Sequence, residues 1–453
     1  MEAKTPTLSK TFILFSVCAI WGLVFILQIN ILRDATIWKE KLWRMFTISE
    51  WDWDLEANNS SSVITCNRSD KNFDLCKMNG PTLLDKNSLT MFTLGHHIST
   101  QPHTIEKIRP YPLKPDKIAM SYVRELILTS APPKSLYCDV KHHSPALVFS
   151  ASGYNGNFYH EINENIIPLY ITINSLYPNQ DVILVIMDGQ DWWYQKYEDL
   201  LSAFSPNHKF INFNNLTTTH CFPSATLGLI KHGPVTIDPK LLQPYPKTLI
   251  DFREFLRSVY IKNDTSQLVD PNDNKGKPRL VLVTRKGNAR RVILNEEEVV
   301  KVAEDVGFNV KVFEPSRDFS MANTFRLIDS SDVMLGVHGA GLTHLVFLRK
   351  GSVMFQVVPI GLNWASETYY NKPTRFLGLE YLEYKIQANE SSLSWEYGAD
   401  SLVIKDPKAY TEGKWDKQLV YLKKQNVIID TIRFRKYLIQ AYNKAKIFIN
   451  TTS

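Results

Sequence analysis

The order of apolar runs predicts an α/β protein of two Rossmann-like domains facing a cleft, preceded by one N-terminal transmembrane helix and a stem. Three observations predict it. Strand-like and helix-like stretches alternate on both sides of one Asn-, Asp- and Gly-rich segment. In both regions a glycine-rich loop leaves an apolar strand, and an uncharged apolar run near the N-terminus is long enough to cross a bilayer.

Residues 1–10 are read as a short cytosolic tail, and 11–31 as a transmembrane signal anchor. Thr11 to Ile29 carries no charge, follows Lys4 and Lys10, and ends without a small-x-small cleavage site, which favours a retained anchor over a signal peptide. Arg33, Lys39, Lys41 and Arg44 blunt the positive-inside argument for orientation. Cysteines and sequons supply the side instead. Cys18 lies in the span, leaving Cys66, Cys76, Cys138 and Cys221 as disulfide candidates. Glycosylation candidates at Asn58, Asn59, Asn67, Asn215, Asn263, Asn389 and Asn450 all follow the anchor. The reading is a single-pass type II protein with a lumenal body.

Residues 32–90 are polar and without sustained periodicity, and are read as a lumenal stem partly pinned by Cys66 and Cys76. The N-terminal Rossmann-like domain is assigned to 91–262. ALVFS (146–150) is a strand, Phe158 to Leu176 a helix, DVILVIMD (181–188) a strand, Trp192 to Phe204 a helix and KFINF (209–213) a strand. Residues 263–278 are the linker. The C-terminal Rossmann-like domain, 279–453, contains the strands RLVLVT, NVKVFEP, VMLGV and SVMFQVV. Its helices run from a capping-box-like Asn295 and Glu298 to near Gly307, from Ser320 to Ser331, and from Leu342 to Leu348, with a further helix at the C-terminus.

With a formal charge of +6 and basic residues scattered among 46 acidic ones, no tract suits nucleic acid. The loop GVHGAGLTH (336–344) leaves a parallel strand, where open α/β sheets bind ligands. Its glycines let backbone amides approach a diphosphate, with Gly339, Ala340, Gly341, Thr343 and His338 as candidate ligands. TRKGNARR (284–291) follows another strand and brings Arg285 to the same sheet edge, and arginine's planar fork suits phosphate. For Arg290 and Arg291 a solvated loop competes evenly with that role.

GYNGNFYHEINE (153–164) is the second glycine loop. His160 and Glu164, four apart, share a helix face and form a pair able to take a proton from a sugar hydroxyl, while Glu161 points elsewhere. His-Glu-x-x-Glu also lies one residue from a zinc motif, but it lacks the second imidazole. The triplet Asp52-Trp53-Asp54 falls in the presumed stem, and no other cluster has metal-ligand spacing.

The ordered set CNRSDKNFDLC, IRPYPLKPD, PALVFSASGYNGNFYHEINENIIPLYIT, WWYQKY, HCFPSATLGL, DFREFLR and GVHGAGLTHLVFL resembles the plant branch of glycosyltransferase family 61, from about Cys66 to the C-terminus. That branch contains xylan arabinosyl- and xylosyltransferases; more distant relatives include O-GlcNAc transferases and a β-1,2-xylosyltransferase of N-glycans. The resemblance implies a GT-B fold with the nucleotide sugar on the C-terminal domain. It implies an inverting, metal-independent reaction without cofactor, moving arabinofuranose or xylose from UDP-arabinofuranose or UDP-xylose to xylan in the Golgi membrane. It also implies association with other Golgi glycosyltransferases. The family's aromatic-His-x-x-x-Asp pattern falls on Tyr159, His160 and Glu164, with glutamate where aspartate is common. His344 stands where plant members often have asparagine. A β-1,2-xylosyltransferase or O-GlcNAc-type activity and a non-catalytic carbohydrate-binding scaffold are the alternatives.

Overall fold

The computed structural model describes residues 63–94, 104–133, 135–261, 276–287 and 290–452. The expected tail, anchor, Asp52 to Asp54, Asn58, Asn59, Asn263 and most of the linker lie outside them. Among the described residues no helix is long and apolar enough to cross a membrane.

The second half of the expected stem is part of the folded body. Val63–Asn67 and Leu75–Asn79 form an antiparallel hairpin tied by a Cys66–Cys76 disulfide, and Leu75–Asn79 pairs onward with Ala225–Leu227. Thr82–Asp85 and Thr90–Thr93 enter a second six-stranded sheet. The stretch reads as irregular because its strands are only four or five residues long. In Leu75–Asn79 the burial alternates, with Cys76 and Met78 inside and Lys77 and Asn79 exposed, so that strand carries no apolar run.

The first sheet sets Ala225–Leu227, Ala146–Ser150, Ile183–Met187 and Ile211–Asn212 side by side and parallel, as a Rossmann-like half requires. Ala146 and Val148 point toward the second sheet, in a core with Leu84, Met91 and Leu128. Leu147 and Phe149 point the other way, onto the helices. A strand buried on both faces has no polar side, which is why ALVFS is an unbroken apolar run. The second sheet is absent from the sequence reading. A Cys138–Cys221 disulfide ties its strand His220–Phe222 to the segment before Val140. The described sequon residues Asn67, Asn215, Asn389 and Asn450 are all exposed.

The second half holds five parallel strands in the order Asn309–Phe313, Arg279–Val283, Val333–Val337, Val353–Val358, Glu380–Lys385. The first four match the apolar runs; Glu380–Lys385 was not foreseen, being partly exposed and charged. Strand order reverses between Arg279–Val283 and Val333–Val337. The loops leaving those two strands therefore diverge and open a crevice at their carboxyl ends.

Candidate active site

Asn157 caps the helix that begins at Phe158, accepting a hydrogen bond from the Tyr159 amide. After one α turn the helix widens to a π turn over Glu161–Ile166, where the Ile167 amide donates to the Ile162 carbonyl, and then resumes as an α-helix to Leu176. Pro168 supplies a physical reason: it has no N–H for the Glu164 carbonyl, and its ring would strike that carbonyl in an α-helix. The wider turn carries Glu161, Asn163, Glu164 and Asn165 into the interior.

Glu164 is 1% exposed. One carboxylate oxygen meets His160 Nδ1 at 2.9 Å; the other accepts from Lys231 Nζ at 2.8 Å and from the Asn163 amide. Burial pushes its pKa up, but the Lys231 charge and the hydrogen bond from His160 outweigh burial and carry it below the ordinary carboxylate range. His160 sits between the rings of Tyr154 and Tyr159, 4.5 and 5.3 Å away. With Nδ1 committed to Glu164, Nε2 is the nitrogen left for the cleft that His160 lines.

Glu161, expected to point elsewhere, is buried beside this pair. It accepts from the Gly156 amide, the Asn165 amide and Trp193 Nε1. Burial nevertheless pushes its carboxyl up to about 7, the three donors opposing and the Glu164 charge adding to the shift. Its role is to hold the glycine loop. Glu161→Ala strands two buried donors, Asn165 and Trp193, and frees the exposed Gly156 amide, and the expected loss in urea denaturation is about 3 kcal/mol. An unchanged midpoint would show the loop is held by something else.

Across the cleft, Arg285 leaves the strand Arg279–Val283 and lies against Gly339, which leaves Val333–Val337. A Cβ on Gly339 would fall 1.6 Å from the Arg285 Nη2. Arg291 joins them in the cleft wall. Among the described residues neither arginine makes an ion pair, and burial pushes both guanidinium pKa values down, with Arg285 adding to the shift at Arg291. Arg291 is thus no solvated loop residue. Two half-buried guanidiniums at a sheet's switch point, with no carboxylate partner among the described residues, make a site for a doubly charged anion.

His338 is buried, and the Gln356 amide nitrogen donates to its Nδ1 at 2.8 Å, which leaves the ring proton on Nε2. The Gln356 oxygen is fixed by Ser366 and Tyr381. Burial and the two arginine charges push the His338 pKa well below its usual value. It is therefore a neutral hydrogen-bond donor.

One expectation at this loop is sharpened and one fails. The expected helix is present and winds as a 3₁₀-helix over Ala340–Phe347. With that tighter winding Thr343 is fully buried and does not line the cleft, so it is no ligand. Ala340 and Gly341 do line it. His344 donates from Nδ1 to the Gly341 carbonyl at 2.7 Å and stacks on Phe158 at 3.9 Å, and burial first of all pushes its pKa down to about 4. It ties the glycine loop to the helix that carries His160.

One cleft of about 1230 Å³ is lined by His160, Glu164, Arg285, Arg291, His338 and Gly339. The two glycine loops thus face one another. Lys231 and Tyr370, whose hydroxyl donates to the Gly339 carbonyl, escaped the sequence reading. Neither belongs to a motif with its partner, since Lys231 and Glu164 lie 67 residues apart. Among the described residues, no three His, Cys, Asp or Glu side chains form a metal-holding group.

A family model described as Glycosyltransferase 61 matches residues 158–355, from the first residue of the His160 helix through the glycine loop. A xylan glycosyltransferase of Arabidopsis thaliana is 39% identical over 407 residues, covering 86% of this chain and 81% of that protein. A beta-1,2-xylosyltransferase of Oryza sativa subsp. japonica is 32% identical, covering 83% of each chain. An alpha-1,3-arabinosyltransferase of the same rice is 34% identical over 83% of this chain, which spans 64% of that longer protein. Identity of this extent, with the family model laid across both walls of the cleft, makes the chain a member of glycosyltransferase family 61.

Proposed function

We propose that the chain is an inverting pentosyltransferase of GT-B type that moves arabinofuranose or xylose from a UDP-sugar to the xylan backbone. The reaction is placed in the Golgi lumen, with the body held by the N-terminal anchor. The observation that carries the reading is a half-buried cationic pair facing a carboxylate-held imidazole across one cleft. Relatives named as xylan, arabinosyl- and xylosyltransferases supply the pentose and the acceptor.

The sequence reading gives the base role to Glu164, oriented by or relaying through His160; the geometry favours the reverse assignment. Glu164, with both oxygens engaged and 1% exposed, is poorly placed to meet a sugar. His160 Nε2 takes the proton as the acceptor hydroxyl attacks the anomeric carbon from the face opposite UDP, and Glu164 holds the ring and stabilises the imidazolium. The bond to UDP breaks as the new glycosidic bond forms. Arg285, Arg291 and His338 Nε2–H receive the charge released on the diphosphate, so the reaction runs without a metal.

The test is transfer of labelled pentose from UDP-sugars to xylo-oligosaccharides by the full chain in excess EDTA. Transfer is expected. No transfer from any donor by folded protein overturns the reading, and UDP binding without turnover in that case points to a carbohydrate-binding scaffold.

A further inference from the structure

The Lys231 ammonium is 2.8 Å from Glu164, and the two side chains are only 6% and 1% exposed. Glu164 is its only ion-pair partner among the described residues. The loop carrying Lys231 is fastened to the His160 helix on both sides of the lysine. The Ile230 amide donates to Thr172 Oγ1 at 2.8 Å, and the Val235 amide donates to Asn163 Oδ1 at 2.6 Å. Val235 holds a φ of +43°, a left-handed conformation that a β-branched residue rarely adopts. Asn163 links the second attachment to the carboxylate, since its amide nitrogen also donates to Glu164.

We infer that Lys231 is a positioning residue: by neutralising Glu164 it keeps His160 oriented and in its proton-accepting form. This rests on the transferase reading of the cleft. The other titratable groups facing Glu164 do not supply that charge. Tyr111, Tyr154, Tyr159 and Tyr369 are all shifted upward by burial and stay neutral. Glu161, the remaining neighbour, brings only negative charge. Beside an unpaired Glu164 carboxylate, the His160–Glu164 pair gains a proton more readily, because a buried negative charge favours any form that cancels it. Protonated in advance, His160 has no capacity left for the acceptor's proton. Lys231 prevents that at the acid end of the working range.

The experiment compares the wild-type full chain with Lys231→Met and Lys231→Arg. It reads kcat/KM for pentose transfer against pH, and the His160 ring by NMR titration. In Lys231→Met the acid limb and the ring titration are expected to move to higher pH by about one unit or more, making the loss about tenfold worse at the acid end than at pH 8. Lys231→Arg restores both, and UDP affinity stays near wild type. A uniform loss at every pH with the ring titration unmoved overturns the inference and leaves Lys231 a structural cation. If Lys231→Met does not fold, Glu164→Gln with Lys231→Met, which strands no buried charge, is compared with Glu164→Gln alone. Coincident ring titrations support the inference; a further shift overturns it. Absent transfer by the wild type overturns the transferase reading, while the NMR titration still decides the role of Lys231.

Discussion

His160→Ala is expected to lower kcat for pentose transfer by about 10³-fold, within the usual range for removing a general base, while the UDP dissociation constant changes less than about twofold. The split follows from geometry. His160 stands on the wall opposite Arg285 and Arg291, touching Tyr154, Tyr159 and Glu164 and none of the donor-side cations. Its removal takes away the proton acceptor without altering the anion site. Glu164→Gln is the informative companion, since it keeps the shape but replaces the carboxylate facing His160 Nδ1 and leaves the Lys231 charge unpaired. Its activity is expected to lie between wild type and His160→Ala if the carboxylate only orients and stabilises the ring. Turnover of His160→Ala near the wild-type level would remove His160 from the role.

The sequence made three strands of the second half's sheet legible, Arg279–Val283, Val333–Val337 and Val353–Val358, because they are buried on both faces, so each appears as a nearly unbroken apolar run. It also located both glycine loops, since a loop leaving a parallel strand must open at its carboxyl end. What it could not show was partnership at long range. Lys231 reads as an ordinary surface lysine until the loop after Ala225–Leu227 is laid against the helix of Glu164. Arg291 reads as part of a basic loop, yet it is drawn into the cleft wall, its amide donating to the Gln425 carbonyl at 2.8 Å. The π turn had a signal in Pro168, ten residues into the span from Phe158 to Leu176 that sequence assigned to one helix. The 3₁₀ winding of Ala340–Phe347 had none, because an apolar stretch buried all round has no face from which to read a period.

Gly339→Ala is expected to weaken UDP binding by about 100-fold, close to 2.7 kcal/mol, measured by calorimetry on the folded full chain. Two independent obstacles converge there. Gly339 holds a φ of +153°, a region in which side chains are strained. The new methyl carbon would also lie 1.6 Å from Arg285 Nη2 and 2.5 Å from its Cζ, so the guanidinium has to leave its place. Arg285→Ala removes the same guanidinium without touching the backbone and is expected to cost a similar amount. If displacement of Arg285 is the main cause, Gly339→Ala adds little in the Arg285→Ala background, because the methyl then enters vacated space. The two losses therefore fall short of adding, which a double-mutant cycle detects as coupling of 1 kcal/mol or more, a size of about that order being usual for residues in contact. Additive losses would assign the Gly339 effect to backbone strain and the Tyr370 hydroxyl on its carbonyl. Unchanged UDP affinity in folded Gly339→Ala would place the diphosphate elsewhere and remove the switch-point crevice from the donor site.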